Sequence, residues 1–226
     1  MRYIYILNIG GGVSATQITI KNENDLYDSF TQSTDTLTLK IDQQKIDIGK
    51  PIKITNTIEK LSIIGSSKDT SILNFNYILN GFNFTNSVKN IEINNVTING
   101  KLEFNNNQSV KFENSVLNGN IESRSGNKNN ELIIMNNFSY NCMAPYIYYC
   151  IRLHGSLEIN NSSFYGNSNA QDSILYYDGE NVNHVDINNS FFNGIHKNNC
   201  LYLNQGNKIN IQFSNFENCE AHVDGG

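Results

Sequence analysis

Charge is what this chain has least of. Asp, Glu, Lys and Arg make up only 16% of its 226 residues, and the net charge is −5. Such a balance offers no basic footprint for nucleic acid and no cationic amphipathic stretch for a membrane surface. No segment approaches the roughly 20 consecutive apolar residues of a membrane span. Apolar residues make up 38% of the chain, below the about 45–50% usual for a globular enzyme. An elongated body with a thin interior tolerates that shortage. Tryptophan is absent, proline occurs twice and alanine four times. The four cysteines, Cys142, Cys150, Cys200 and Cys219, include no C-x-x-C pair and no metal-ligand spacing. Nothing in the pattern calls for a cofactor or a bound metal.

Asparagine fills the place that charge leaves, with 41 residues. Six times an apolar residue is followed two positions later by asparagine and then by a short apolar run. The copies begin at Ile93, Phe112, Met135, Ile159, Ile187 and Phe213. Their first residues are separated by 19, 23, 24, 28 and 26 positions. A repeat of roughly 20–30 residues built of short alternating strands predicts a solenoid. Codon bias can account for part of the asparagine excess, but not for its return to one place in each coil.

The expected coil has three strands. One is typified by Lys89–Ile93, a second by Val96–Asn99 after a turn at Asn94-Asn95, and a third by Tyr146–Leu153, Ser173–Tyr177 or Cys200–Leu203. Earlier strands are expected at Thr16–Lys21, Thr36–Ile41, Lys45–Ile48, Ile52–Thr55, Lys60–Ile64 and Ser71–Phe75, from period-two alternation of apolar residues. A two-residue bend between strands needs a left-handed backbone, which asparagine tolerates better than most residues. The reading therefore predicts a ladder of Asn95, Asn114, Asn137, Asn161, Asn189 and Asn215, stacked at about 4.8 Å and hydrogen-bonded from coil to coil. Between Thr16–Lys21 and the coils, Asn22 to Phe30 carries an Asn or Asp cap with Leu26 and Phe30 one turn apart. A short helix there would cover the exposed apolar end of the first coil.

The start, Met1-Arg2 followed by Tyr3–Ile9 and a small-residue exit at Val13-Ser14-Ala15, reads as a secretory signal peptide over residues 1–15. A first β-strand of the body is the alternative. Residues 16–226 then form one domain, expected to be truncated because the chain stops at Gly225-Gly226 without a second lid. Seven Asn-x-Ser/Thr acceptors, at Asn83, Asn95, Asn107, Asn137, Asn160, Asn161 and Asn188, permit glycosylation without arguing for it. For the cysteines, two readings stand side by side: disulfides Cys142–Cys150 and Cys200–Cys219, or small apolar fillers in the stack.

These features resemble the right-handed parallel β-helix of the pectin-lyase-like superfamily, over nearly the whole chain after Thr16. A narrower likeness links Phe138-Ser139-Tyr140-Asn141 and Phe164-Tyr165-Gly166-Asn167, with the following Ala144 and Ala170, to the F-x-x-N repeats of polymorphic outer membrane proteins. The terminal His222-Val223-Asp224-Gly225-Gly226 resembles their Gly-Gly-Ala punctuation. The resemblance implies an all-β fold, a secreted or cell-surface location and an adhesin-like role. The enzymes of the superfamily would bring N-T-D, D-D, G-H-G and R-I-K strings, and none occurs here.

One pair of outward rows is the candidate site. If Leu153, Tyr177 and Leu203 point inward, then Arg152, Tyr176 and Tyr202 form one outer row, and His154, Asp178 and Asn204 the next. Aromatic faces beside hydrogen-bonding groups suit sugar rings, so the expected partner is a polysaccharide or cell-surface glycan. An ordinary solvated face with cross-strand pairing is the plainer reading of the same rows. The expected function is an extracellular, non-catalytic module, adhesin-like or structural. A polysaccharide lyase or glycoside hydrolase is the alternative.

Overall fold

The computed structural model of the chain describes residues 4–9, 13–124, 131–143, 149–170 and 172–220. They form a parallel β-helix, a β-solenoid of two long sheets. The first sheet has ten strands. Nine run parallel: Val13–Ile20, Thr36–Ile41, Ile58–Gly65, Val88–Asn94, Ser109–Glu113, Leu132–Asn136, Ser156–Asn160, His184–Asn188 and Lys208–Gln212. The tenth, Ile4–Ile9, lies antiparallel to Val13–Ile20, with Ile4 opposite Ile18. Residues 1–15, read from sequence as a leader, thus include a strand, and Ala15 lies inside its partner.

The second sheet has thirteen strands. Most coils give it two short ones, such as Ile72–Phe75 with Gly81–Phe84 and Ser163–Tyr165 with Ser173–Asp178. This is the three-strand coil expected from the sequence. Two coils depart from it. Thr97–Phe104 and Val116–Ser123 run through the corner as single eight-residue strands. Glycine makes this possible. Gly100 and Gly119 face each other across the pair, and Gly100 has φ +150°. A Cβ on Gly119 would lie 1.8 Å from the Gly100 carbonyl oxygen. Without side chains the strands bend where other coils need a loop.

The interior follows from alternation. Ile18, Leu39, Ile63, Ile93, Phe112, Met135, Ile159 and Ile187 occupy one register position of the first sheet and are all buried. Phenylalanine forms two shorter files in the second sheet. Phe84 stacks on Phe104 at 5.3 Å, Phe164 on Phe192 at 4.5 Å, and Phe192 on Phe216 at 5.1 Å. Repeating one residue type at one strand spacing lets rings meet face to face inside the stack. The short helix is Glu23–Ser29, capped by Asn22, whose side-chain oxygen accepts from the Asp25 N–H at 3.1 Å. Its Leu26 is buried over the first coil. The Glu23 carboxylate accepts from the Gly49 N–H at 2.7 Å and the Tyr27 hydroxyl at 2.8 Å, pinning the helix to a later coil. Those bonds, the one from Gly49 foremost, hold the Glu23 carboxyl below its ordinary value.

Five of the six expected bends are left-handed at asparagine: Asn95, Asn114, Asn137, Asn161 and Asn189 have φ between 47° and 53°. Each donates its backbone N–H at 3.1 Å to a carbonyl of the following coil. The sixth expectation is corrected. Asn215 pairs with Phe191 and opens the strand Asn215–Glu217, while Phe213, with φ 52°, takes the left-handed position. Side-chain bonding is shared between two rows. Asn137 Nδ2 donates to Asn114 Oδ1 at 3.1 Å within the bend row. One residue earlier, Asn160 donates to Asn136 at 3.1 Å and Asn188 to Asn160 at 3.5 Å. A buried serine after the bend seals it. Ser162 and Ser190 each return a hydrogen bond to the carbonyl two residues back, both at 2.8 Å.

Both cysteine cross-pairs are formed, with Cα atoms 5.4 Å apart for Cys142–Cys150 and 5.3 Å for Cys200–Cys219. A bridge closing a loop of this size restricts the unfolded chain by about 3 kcal/mol. Replacing Cys200 and Cys219 together by serine is therefore expected to lower the melting temperature by roughly 10 °C for a chain of this length, measured by calorimetry. An unchanged melting temperature would mean the bridge adds nothing to the fold.

Candidate functional site

The structure keeps the expected register of the outward rows. Arg152 pairs with Tyr176 and Tyr176 with Tyr202, while Asp178 pairs with Asn204. Leu153 and Tyr177 point into the core and are fully buried, and the Tyr177 hydroxyl donates to the Gly155 carbonyl at 2.7 Å. Burial pushes that phenol up to about 12.

What these rows can hold differs from the sequence expectation. Tyr176 is enclosed: Tyr149 lies 4.1 Å away on one side and Tyr202 4.9 Å away, with planes 4° apart, on the other. The Arg152 guanidinium carbon stands 5.8 Å from the same ring. A tyrosine whose faces are spent on neighbouring rings has none left for a sugar. Tyr202, 47% exposed, keeps its outer surface. His154 is also corrected, being 5% exposed rather than outward. Gly155, with φ +84°, turns the chain just after it, so strict alternation stops at Leu153. His154 Nδ1 lies 2.9 Å from the Asp178 carbonyl oxygen, and Asn204 donates to Asp178 Oδ1 at 3.1 Å. Arg152 and Tyr202 are the accessible members, with Asn204 partly exposed beside them. Of the strand expected over Tyr146–Leu153, the structure shows Ile151–Leu153, and 144–148 lie outside the described residues. So does the terminal His222-to-Gly226 motif.

The second sheet also carries an acidic pair that sequence reading passed over. Glu103 and Glu122 stand opposite each other on neighbouring coils. Lys101 Nζ lies 3.3 Å from Glu103 and 2.7 Å from Glu122, and Arg124 Nε lies 3.4 Å and 2.9 Å from the same two. Burial pushes the Glu122 carboxyl up, but the hydrogen bonds from Arg124 and Lys101 together outweigh it and hold it below its ordinary value. Two carboxylates matched by two cations form a closed, neutral network. Held below its ordinary value, Glu122 does not supply the protonated acid that glycoside hydrolysis needs near neutral pH. Among the described residues, no cluster of His, Cys, Asp and Glu is arranged to hold a metal ion.

A broad concavity lies elsewhere, over a second asparagine ladder invisible in the repeat pattern. Asn74, Asn99, Asn118 and Asn141 occupy one outward register position of the second sheet. Asn141 donates to Asn118 at 2.7 Å, Asn118 to Asn99 at 2.7 Å, Asn99 to Asn74 at 2.9 Å, and Asn74 to the Asp47 carboxylate at 2.5 Å. Lys45 sits 3.0 Å from Asp47 and, with Asn74, holds its carboxyl below the usual range. Above this floor is a groove of about 950 Å³. Its existence follows from the two through-running strands. Coils 97–104 and 116–123 have no corner loop, whereas 76–80 on one side and 143 with 166–169 on the other rise as walls. The repeat motif failed to find the groove because its two F-x-x-N copies are not equivalent: Phe164 pairs with Tyr140, not with Phe138. Asn141 joins the ladder, while Asn167 turns away to donate to the Cys142 carbonyl at 2.9 Å.

No helix among the described residues is long and apolar enough to cross a membrane. No family model, no curated protein and no solved structure matches this chain.

Proposed function

We propose that the chain is a secreted or cell-surface, non-catalytic β-helix module of the pectin-lyase-like kind that holds a glycan on its outer surface. The observation that carries this reading is the groove over Asn99, Asn118 and Asn141. A cavity of about 950 Å³ is at the upper end for a ligand site, and its floor offers amides rather than acids. Two disulfides in a chain of this size support an oxidising compartment, as does the leader-like start at residues 1–15. In this reading the leader, if removed after Ala15, takes with it the antiparallel strand Ile4–Ile9.

The test is binding of the purified chain to an immobilised glycan array, together with an assay for unsaturated uronides released from pectin. Binding without release supports the proposal. Absence of binding to every glycan would sink it, and release of unsaturated products would replace it with the lyase reading.

A further inference from the structure

Resting on the glycan reading above, we infer that the groove selects an uncharged, hydroxyl-rich polysaccharide laid along the coil axis, one sugar to each rung of the Asn74–Asn99–Asn118–Asn141 ladder. The amide inventory supports this first. A carboxamide has two N–H donors and two acceptor lone pairs. Asn99 and Asn118 each give one N–H to the coil below and take one from the coil above. One donor and one lone pair on each remain for a ligand. A pair of neighbouring hydroxyls on a sugar presents the same donor-and-acceptor pattern.

Spacing favours the same class of ligand. Successive rungs repeat at the strand separation of about 4.8 Å, close to the advance per sugar in an extended β-linked polysaccharide. An extended peptide repeats each outward-facing group at about 6.8 Å, so it falls out of step within two rungs. The floor is also the face of a sheet and not an edge, since Thr97–Phe104 is hydrogen-bonded on both sides. A peptide therefore has no open strand edge to join.

Charge narrows the ligand further. None of the described residues lining the groove is charged. An acidic polymer, such as a polyuronate or a nucleic acid, finds no cation there to replace its lost hydration. The walls mix uncharged polar residues, such as Asn76, Asn167 and Ser168, with apolar ones. Tyr165 stands where the ladder would continue beyond Asn141 and is 38% exposed, and Met143 beside it is 52% exposed. Phenol and thioether surfaces at the end of an amide row pack against the C–H faces of a sugar while its hydroxyls meet the amides.

The experiment titrates the full chain with a soluble β-1,4-glucan oligosaccharide, a neutral mannan oligosaccharide and polygalacturonate of similar length, by calorimetry at pH 7. Three variants accompany it. Ser168→Trp fills the groove from an exposed loop residue without touching the ladder. Asn118→Asp places a carboxylate in mid-ladder, where it cannot donate to Asn99. Tyr202→Ala alters the separate outward row. The expected result is binding of at least one neutral polymer, with polygalacturonate at least tenfold weaker. Ser168→Trp and Asn118→Asp should each weaken neutral binding at least tenfold, with Tyr202→Ala unchanged. Polygalacturonate bound as tightly as the neutral polymers would overturn the inference and leave the glycan reading standing. So would neutral binding that survives Ser168→Trp and is lost with Tyr202→Ala. Failure of all three polymers, when the array also shows no glycan bound, sinks the underlying reading as well.

Discussion

Gly119→Ala is expected to abolish the folded state. The added Cβ would sit 1.8 Å from the Gly100 carbonyl oxygen, and the obstacle is backbone that cannot rotate away. Relief requires the two through-running strands to separate at their corner, which breaks the ladder between Thr97–Phe104 and Val116–Ser123 on both sides of it. The Tyr140 hydroxyl, buried and donating to the Gly119 carbonyl at 2.8 Å, would be displaced as well. Together these place the cost beyond about 4 kcal/mol, the range reserved for strain and broken buried networks. Circular dichroism and urea titration of the variant check this. A variant that unfolds at the wild-type midpoint would show that the corner opens cheaply.

Lowering the pH from 8 to 5 is expected to stabilise the protein, through Glu131. This side chain is 6% exposed. Its Oε2 accepts from the Ser123 hydroxyl at 2.9 Å, and Oε1 is buried without a hydrogen bond. Burial pushes the carboxyl up to about 7 from 4.5, against the opposing pull of Ser123 and the backbone of Asn106 and Asn107. A carboxyl that holds its proton more tightly when folded contributes stability below its unfolded value, near pH 4.5. That contribution is lost as the pH rises through about 7. The difference is on the order of 3 kcal/mol across this window. Glu131→Gln keeps a neutral group against Ser123, so it should flatten the dependence and raise stability at pH 8. Urea midpoints at pH 5 and pH 8 for both proteins read this directly. An equal pH slope in the two would assign the effect elsewhere.

Local chemistry made much of the fold legible. A cap by an Asn or Asp was readable at the head of the helix because such short side chains reach back to the backbone, and Asn22 is the residue that takes the place. Thr36–Ile41 and Lys45–Ile48 alternate cleanly because each has one face in the core. The five bends at asparagine were visible because a left-handed residue tolerates few side chains. Asn215 misled for the same reason: Phe213-Ser214-Asn215-Phe216 imitates the motif, yet the pairing of Phe216 with Phe192 fixes the register two residues away.

The site was harder to read. His154 looked outward because alternation was carried one residue past the point where Gly155 turns the chain. Tyr176 looked available because a sequence shows that aromatic residues share a row, not that their faces meet each other. The groove ladder was hidden among 41 asparagines, since Asn74, Asn99, Asn118 and Asn141 share no flanking residues across all four. Only the backbone register brings them into one line.

The two coils without corner loops give the protein a means of setting length by counting. Residues 97–104 and 116–123 are 19 positions apart in register, so a single inserted segment of that size, carrying its own glycine at the bend, would add one whole turn. Because each turn touches little beyond its neighbours, such an insertion would move the flanking walls apart by about 4.8 Å and leave the rest of the stack as it was. The span between the walls is then a quantity that whole-unit duplication can adjust in fixed increments.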